Sequence, residues 1–162
     1  MQRPFETAQI ILQKNKGLKI KKINSLVEIS HGLWEGKLEA EIREKWPILL
    51  ENWHEKPEEV IMPEGESIKD VSERSIEAFN KICSSQKNND LTLVVAHDAV
   101  NKTLICDILG MNYSNIWMIK QGNGGITVID LFNDPSKSPV ISALNITTHL
   151  GGVIDSTASG AL

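Results

Sequence analysis

Two cysteines are all the thiol chemistry this 162-residue chain carries. Cys83 falls near the end of one predicted helix and Cys106 within another, so reduced thiols are expected rather than a disulfide. No histidine or cysteine spacing of the kind that holds a metal is present; neither metal nor cofactor is expected. No apolar stretch approaches membrane-spanning length, and no charged-then-apolar segment opens the chain, so neither a spanning helix nor a secretory signal is expected. Internal repeats are absent. A formal net charge of -4 argues against a general nucleic-acid binder and is silent on a small local anion site. These exclusions together favour a cytoplasmic enzyme or binding protein. In that setting the Asn-x-Ser/Thr triplets at Asn101, Asn112 and Asn145 carry no message.

What is present is ordinary for a globular protein: 41% hydrophobic and 23% charged residues, in a length that makes one domain with a real core. The domain is placed at residues 1–146, followed by a tail at 147–162 rich in Gly, Ser, Thr and Ala, in which Leu150, Val153 and Ile154 are the candidates for docking on the body. Helical spacing of Phe5, Ala8, Ile11 and Leu12 predicts a helix from Pro4 to about Gln13. Lys19 to Val27 alternates lysines with apolar residues and reads as an exposed or edge strand. A glycine-bounded loop from Ile29 to Gly36 precedes short helices near Glu39–Lys45 and Ile48–Trp53. A Pro/Gly-punctuated connection spans 56–66. Ser67 followed by Asp70 reads as a capping box, opening a helix whose inward face holds Ile68, Val71, Ser75, Ala78, Phe79 and Ile82. Leu91–Ala96 is a short apolar run of buried-strand character, and a helix carrying Val100, Leu104 and Leu109 follows it, closed by Gly110. Ile126–Phe132 and Val140–Asn145 predict two further strands around a turn at 133–139. Strands alternating with long helices indicate an α/β layer architecture.

Between the 91–96 run and its following helix stands His97. Ligands of parallel sheets gather beyond the carboxyl ends of strands, where helix N-termini offer N–H groups to anions, so a histidine here is placed to touch a phosphate. Three stretches stand out together: Gln2-Arg3-Pro4-Phe5-Glu6-Thr7-Ala8, Glu28-Ile29-Ser30-His31-Gly32-Leu33-Trp34-Glu35-Gly36, and Val94-Val95-Ala96-His97-Asp98-Ala99. Pro63-Glu64-Gly65-Glu66-Ser67 lies between the last two. In this order and spacing, over roughly residues 1 to 145, the chain resembles the histidine phosphatase superfamily, also called phosphoglycerate mutase-like, and most resembles members with a Trp-Glu-Gly triplet after the acidic residue.

The resemblance implies a three-layer α/β/α fold with a mostly parallel sheet. It implies Arg3 as a phosphate-binding arginine, since a guanidinium grips two phosphoryl oxygens at once. Glu28 would be the general acid that protonates the leaving alkoxide. His97 would be the second histidine of the site, stabilising the transferring phosphoryl group rather than attacking it. Asp98 would lend its backbone N–H to the substrate, although its carboxylate would repel phosphate unless paired or turned away. Trp34 is read as a packing residue, and His54 and His149 as exposed.

One part of the family pattern is absent. Its nucleophile is a histidine in an Arg-His-Gly motif, and no such triplet occurs here; His31-Gly32 follows Ser30 and belongs to the Glu28 loop. Met1 falls inside what would be a Ser-Pro-x-x-Arg stretch, so the chain is expected to lack the first strand, the nucleophile loop and the first helix, through a misplaced start rather than as a natural short form. The implied activity is hydrolysis of small phosphate monoesters through a phosphohistidine in the full-length form, with this chain inactive as written. The alternatives are a phosphoglycerate mutase-type isomerase, and a non-catalytic remnant that binds a phosphorylated metabolite or a protein partner. The short stretch between Gly36 and Pro63 favours hydrolysis.

Overall fold

A computed structural model describes residues 2–87, 89–134 and 136–151. Five α-helices appear in it: α1 (Gln2–Lys14), α2 (Glu39–Lys45), α3 (Pro47–Glu55), α4 (Ile68–Ser84) and α5 (Asp98–Leu109). Two strands, β1 (Ile126–Asp130) and β2 (Val140–Ile146), pair antiparallel with Ile126 opposite Ile146 and Asp130 opposite Val140.

Local sequence accounts for the helix starts. Glu41 reaches back to accept the Leu38 N–H at 2.7 Å and opens α2. Pro47 sits in the first turn of α3, where a missing N–H costs nothing. The capping box at α4 is formed: Ser67 Oγ accepts the Asp70 N–H at 3.2 Å, while Asp70 accepts the Ser67 N–H at 2.8 Å. Gly110 ends α5 in the left-handed region at φ 63°, a conformation that glycine adopts without a Cβ penalty.

The core forms where α4 lies along α5 and the α2–α3 pair closes over them. Ile42, Leu50, Val60, Ile68, Val71, Val100 and Ile116 are fully buried, with Trp34 and Trp53 nearly so. Trp34 is thus a packing residue, as its place in the loop suggested. Ser75 and Thr103 meet across α4 and α5, their hydroxyls 3.4 Å apart, so this seam is partly polar yet paired. Leu109 is 52% exposed, outside the buried face that Val100 and Leu104 share. Leu50→Ala would open a cavity in a region of fully buried neighbours and is expected to cost about 2–5 kcal/mol; urea unfolding followed by far-UV circular dichroism measures it, and a loss under about 1 kcal/mol would mean that the α3 packing is looser than described.

The sheet departs from expectation. In place of a mostly parallel sheet in three layers, the described residues hold one antiparallel pair of strands. Leu91–Ala96 is not a strand, and neither is Lys19–Val27, which ends instead in a 3-10 turn at Asn24–Leu26. The reason is physical: a strand exists through its neighbours, and a parallel strand finds them only through long-range pairing. Leu91 and Leu93 are 98% and 60% exposed, so their apolar character has nothing to bury against among the described residues. The first strand of the hairpin stops at Asp130, short of the expected Phe132. Thr147 is buried and Thr148–Leu150 forms one 3-10 turn; the expected docking of Val153 and Ile154 lies outside the described residues. Among those described, no helix is long and apolar enough to cross a membrane.

Candidate active site

Glu28 stands at the centre of the site. Its carboxylate reaches the N-terminus of α5, where Oε2 accepts the Asp98 N–H at 3.1 Å and Oε1 the Ala99 N–H at 3.2 Å. Its own loop adds the Ile29 N–H at 3.0 Å on Oε1. A helix N-terminus attracts negative charge because its first N–H groups lack partners within the helix and the backbone dipoles add up there. The position expected to receive a phosphate is therefore held by a carboxylate of the chain itself.

His97 is the residue that caps α5, with extended backbone at φ −124° and ψ 171°. Its side chain is 9% exposed, and Nδ1 lies 3.9 Å from Glu28 Oε2. Burial pushes the imidazole below its ordinary pKa; the Glu28 charge pulls the other way, and the charges of Arg3 and Arg74 add to the downward push. The net effect favours the neutral ring. An arriving dianion would favour its protonated form, which offers two N–H donors.

Arg3 sits in the first turn of α1, which buries no residue. Its side chain is exposed, and its charge is among the smaller influences that lower the His97 pKa. Three of the four expected site residues, Glu28, His97 and Asp98, thus meet at the start of α5, whereas Arg3 lies on α1. Asp98 resolves the conflict its carboxylate posed. Its Oδ2 pairs with Lys102 Nζ at 2.9 Å, one helical turn on, and the Lys102 ammonium also lies 5.1 Å from the centre of the Trp117 ring. That pairing turns the carboxylate along the helix flank, leaving the backbone N–H at the site. The i, i+4 spacing of Asp98 and Lys102 is the sequence signal for this pair.

His31 is part of the supporting wall. Its ring meets Trp53 edge-on at 5.9 Å, and burial depresses its pKa although Glu28 and Glu35 pull it upward. The loop that holds Glu28 is clamped by Glu66, from the 63–67 stretch, and by Arg74, which no motif marks. Glu66 Oε2 accepts the Ser30 N–H at 2.9 Å, and the Glu66 N–H returns a bond of 2.9 Å to the Ser30 carbonyl. Arg74, from the second turn of α4, donates to the carbonyls of Ser25, Val27 and Glu28. No local pattern marks an arginine as a partner of carbonyls 46 to 49 residues away.

The model of the Histidine phosphatase superfamily (branch 1) matches residues 1–146 of this chain. Phosphoserine phosphatase 1 of Hydrogenobacter thermophilus is 32% identical over 151 residues, covering 93% of this chain and 69% of that protein. Among solved structures, Bacillus stearothermophilus YhfR superimposes with a TM-score of 0.78 at 27% identity, covering 86% of this chain and 67% of the other. The alpha-ribazole phosphatase from Shigella flexneri shares the fold, with a TM-score of 0.76 at 23% identity over 90% of this chain and 70% of its own.

Proposed function

Because the chain belongs to the histidine phosphatase superfamily, we propose that it forms the acid and phosphate-binding part of an enzyme that hydrolyses small phosphate monoesters. One observation carries this reading: Glu28, His97 and the first N–H groups of α5 converge on one spot, with the Glu28 and His97 side chains 3.9 Å apart. A phosphoryl group on the α5 N-terminus would take hydrogen bonds from the Asp98 and Ala99 N–H groups and from protonated His97. Arg3, from α1, would add charge on the outer side. The phosphate would displace the Glu28 carboxylate from the N–H groups, and its negative charge would favour the protonated carboxyl, the form a general acid must have. Glu28 would then give that proton to the departing alkoxide oxygen.

The acceptor of the phosphoryl group in this reading is a histidine outside the set found here, since none of His31, His54, His97 and His149 lies in an Arg-His-Gly triplet. The relatives named as phosphatases support hydrolysis over isomerisation, and phosphoserine is a reasonable first substrate to try. The 162-residue chain alone is expected to bind phosphate and turn over nothing. Purified protein should give no measurable release from p-nitrophenyl phosphate, phosphoserine or 3-phosphoglycerate. Titrating inorganic phosphate should move the His97 imidazole resonances toward the protonated form, and Arg3→Ala should weaken that response. Robust turnover that survives His31→Ala and disappears with His97→Ala would make His97 the nucleophile and overturn this assignment. A bound phosphate in a chain that never turns over, even when a nucleophile-bearing segment is supplied, would favour the non-catalytic phosphate-binding reading.

A further inference from the structure

Arg74 makes an unusual set of bonds for a helix side chain. A guanidinium has five N–H donors in a rigid planar fork, and all five are used. Nε donates to Glu66 Oε1 at 2.7 Å and one terminal nitrogen to Glu66 Oε2 at 2.9 Å. The remaining N–H groups reach the Ser25 carbonyl at 2.9 Å, the Val27 carbonyl at 2.7 Å and the Glu28 carbonyl at 3.1 Å. Glu66 continues the chain of contacts to Ser30 through both its carboxylate and its N–H. The main chain of Glu28 is therefore held on one side by Arg74 and two residues later by Glu66. Both side chains are largely shielded, 20% and 26% exposed.

From this geometry we infer that Arg74 is a positioning residue: through the carbonyls of residues 25, 27 and 28, and with Glu66 as its counterpart, it sets where the Glu28 carboxyl stands relative to His97 and the N-terminus of α5. The inference rests on the proposed role of Glu28. The path is short. Arg74 is anchored on α4, α4 packs along α5, and the Glu28 carboxylate meets the first two N–H groups of α5. The gap between the loop and the start of α5 is thereby set by a helix pair with a packed core rather than by the loop itself. Glu66 is matched to this task. Burial works against its charge, but the bonds from Arg74 and Ser30 outweigh that and keep its carboxyl below its ordinary pKa, so the clamp stays ionic at neutral pH. A lysine in place of Arg74 would retain charge but supply a single nitrogen on a flexible stem, which cannot hold three carbonyls and a bidentate carboxylate together.

A general stabilising role predicts only lower stability. Positioning predicts loss of communication between Glu28 and His97. The test is a double-mutant cycle on the 162-residue chain, read by the midpoint of the His97 imidazole titration in NMR. In the wild-type background, Glu28→Gln removes a negative charge 3.9 Å from His97 and should lower that midpoint by about half to one pH unit, the size expected for one charge at this distance in a well-screened site. In Arg74→Lys and Glu66→Gln backgrounds with native circular dichroism, the same Glu28→Gln change should move the midpoint by less than half as much. Glu66→Gln keeps the side-chain shape and so keeps the experiment open if Arg74→Lys unfolds. An equal shift in a folded variant background overturns the inference. The readout needs no turnover: absence of phosphatase activity would bear on the proposed function, whereas undiminished coupling would bear on Arg74 alone.

Discussion

Glu28→Gln, introduced into a form of the protein that carries a nucleophile and turns over, is expected to slow esters with poor leaving groups by about 10²–10⁴-fold, the usual size of general acid catalysis. p-Nitrophenyl phosphate should lose much less, because its phenolate departs without a proton. The geometry adds a second, opposite effect. The Glu28 carboxylate occupies the Asp98 and Ala99 N–H groups, so it competes with any anion brought to them. A neutral glutamine competes less, and inorganic phosphate should bind the variant more tightly even as turnover of the poor substrate falls. Steady-state kinetics with alkyl and aryl phosphates, together with phosphate inhibition constants, measure both effects. Equal losses on the two ester classes would remove Glu28 from the acid role. Weaker phosphate binding would mean that the carboxylate is not the competitor described here.

Gly32→Ala is expected to be the most damaging small substitution in the loop, at about 3 kcal/mol or more. Gly32 has φ +53°, and a Cβ there would lie 2.1 Å from the Pro63 carbonyl oxygen and 2.5 Å from the Gly65 nitrogen. Two backbone segments meet at this point: the Leu33 N–H donates to the Pro63 carbonyl at 2.8 Å, and a Cβ on Gly65 would in turn strike the Ser30 carbonyl at 2.5 Å. Neither side can yield by a rotamer change, since every atom involved is main chain. Gly36 supplies the control. Its φ is +74°, yet a Cβ would meet nothing within 4 Å, so Gly36→Ala bears only the backbone strain of about 1–2 kcal/mol. Denaturant unfolding of both variants separates crowding from strain. Equal costs would show that the two loops are not in the close contact described.

These two residues also show how differently parts of the site could be read in advance. Glu28 and His97 stood out from their motifs, and the pairing of Gly32 with Gly65 was foreshadowed only in that each lies in a glycine-bearing stretch near an acidic residue. That the two stretches touch backbone to backbone is a property of the folded chain. Arg74 is the clearest omission. Its helix was well marked by the Ser67–Asp70 cap and by the buried face of Ile68 and Val71, but helical periodicity treats a half-buried arginine as a flank residue. Its partners are carbonyls far away in sequence, and a carbonyl leaves no mark in the amino-acid code.

What the amino acids determined by themselves was local or pattern-borne. Helices α1 to α5 were legible from local spacing, with a cap marking the start of α4 and a glycine the end of α5, because those signals act within one or two turns. The family followed from the order and spacing of short motifs, and with it the candidates Arg3, Glu28, His97 and Asp98. The tertiary structure decided the rest. Among the described residues it left Leu91–Ala96 outside any strand, because a strand is made by its neighbours rather than by its own hydrophobicity. It seated the Glu28 carboxylate on the start of α5, because free N–H groups at a helix N-terminus draw the nearest negative charge. It turned Asp98 aside through Lys102, and it gave Arg74 five hydrogen bonds to four residues, because those bonds depend on where α4 brings distant main chain within about 3 Å of one planar group.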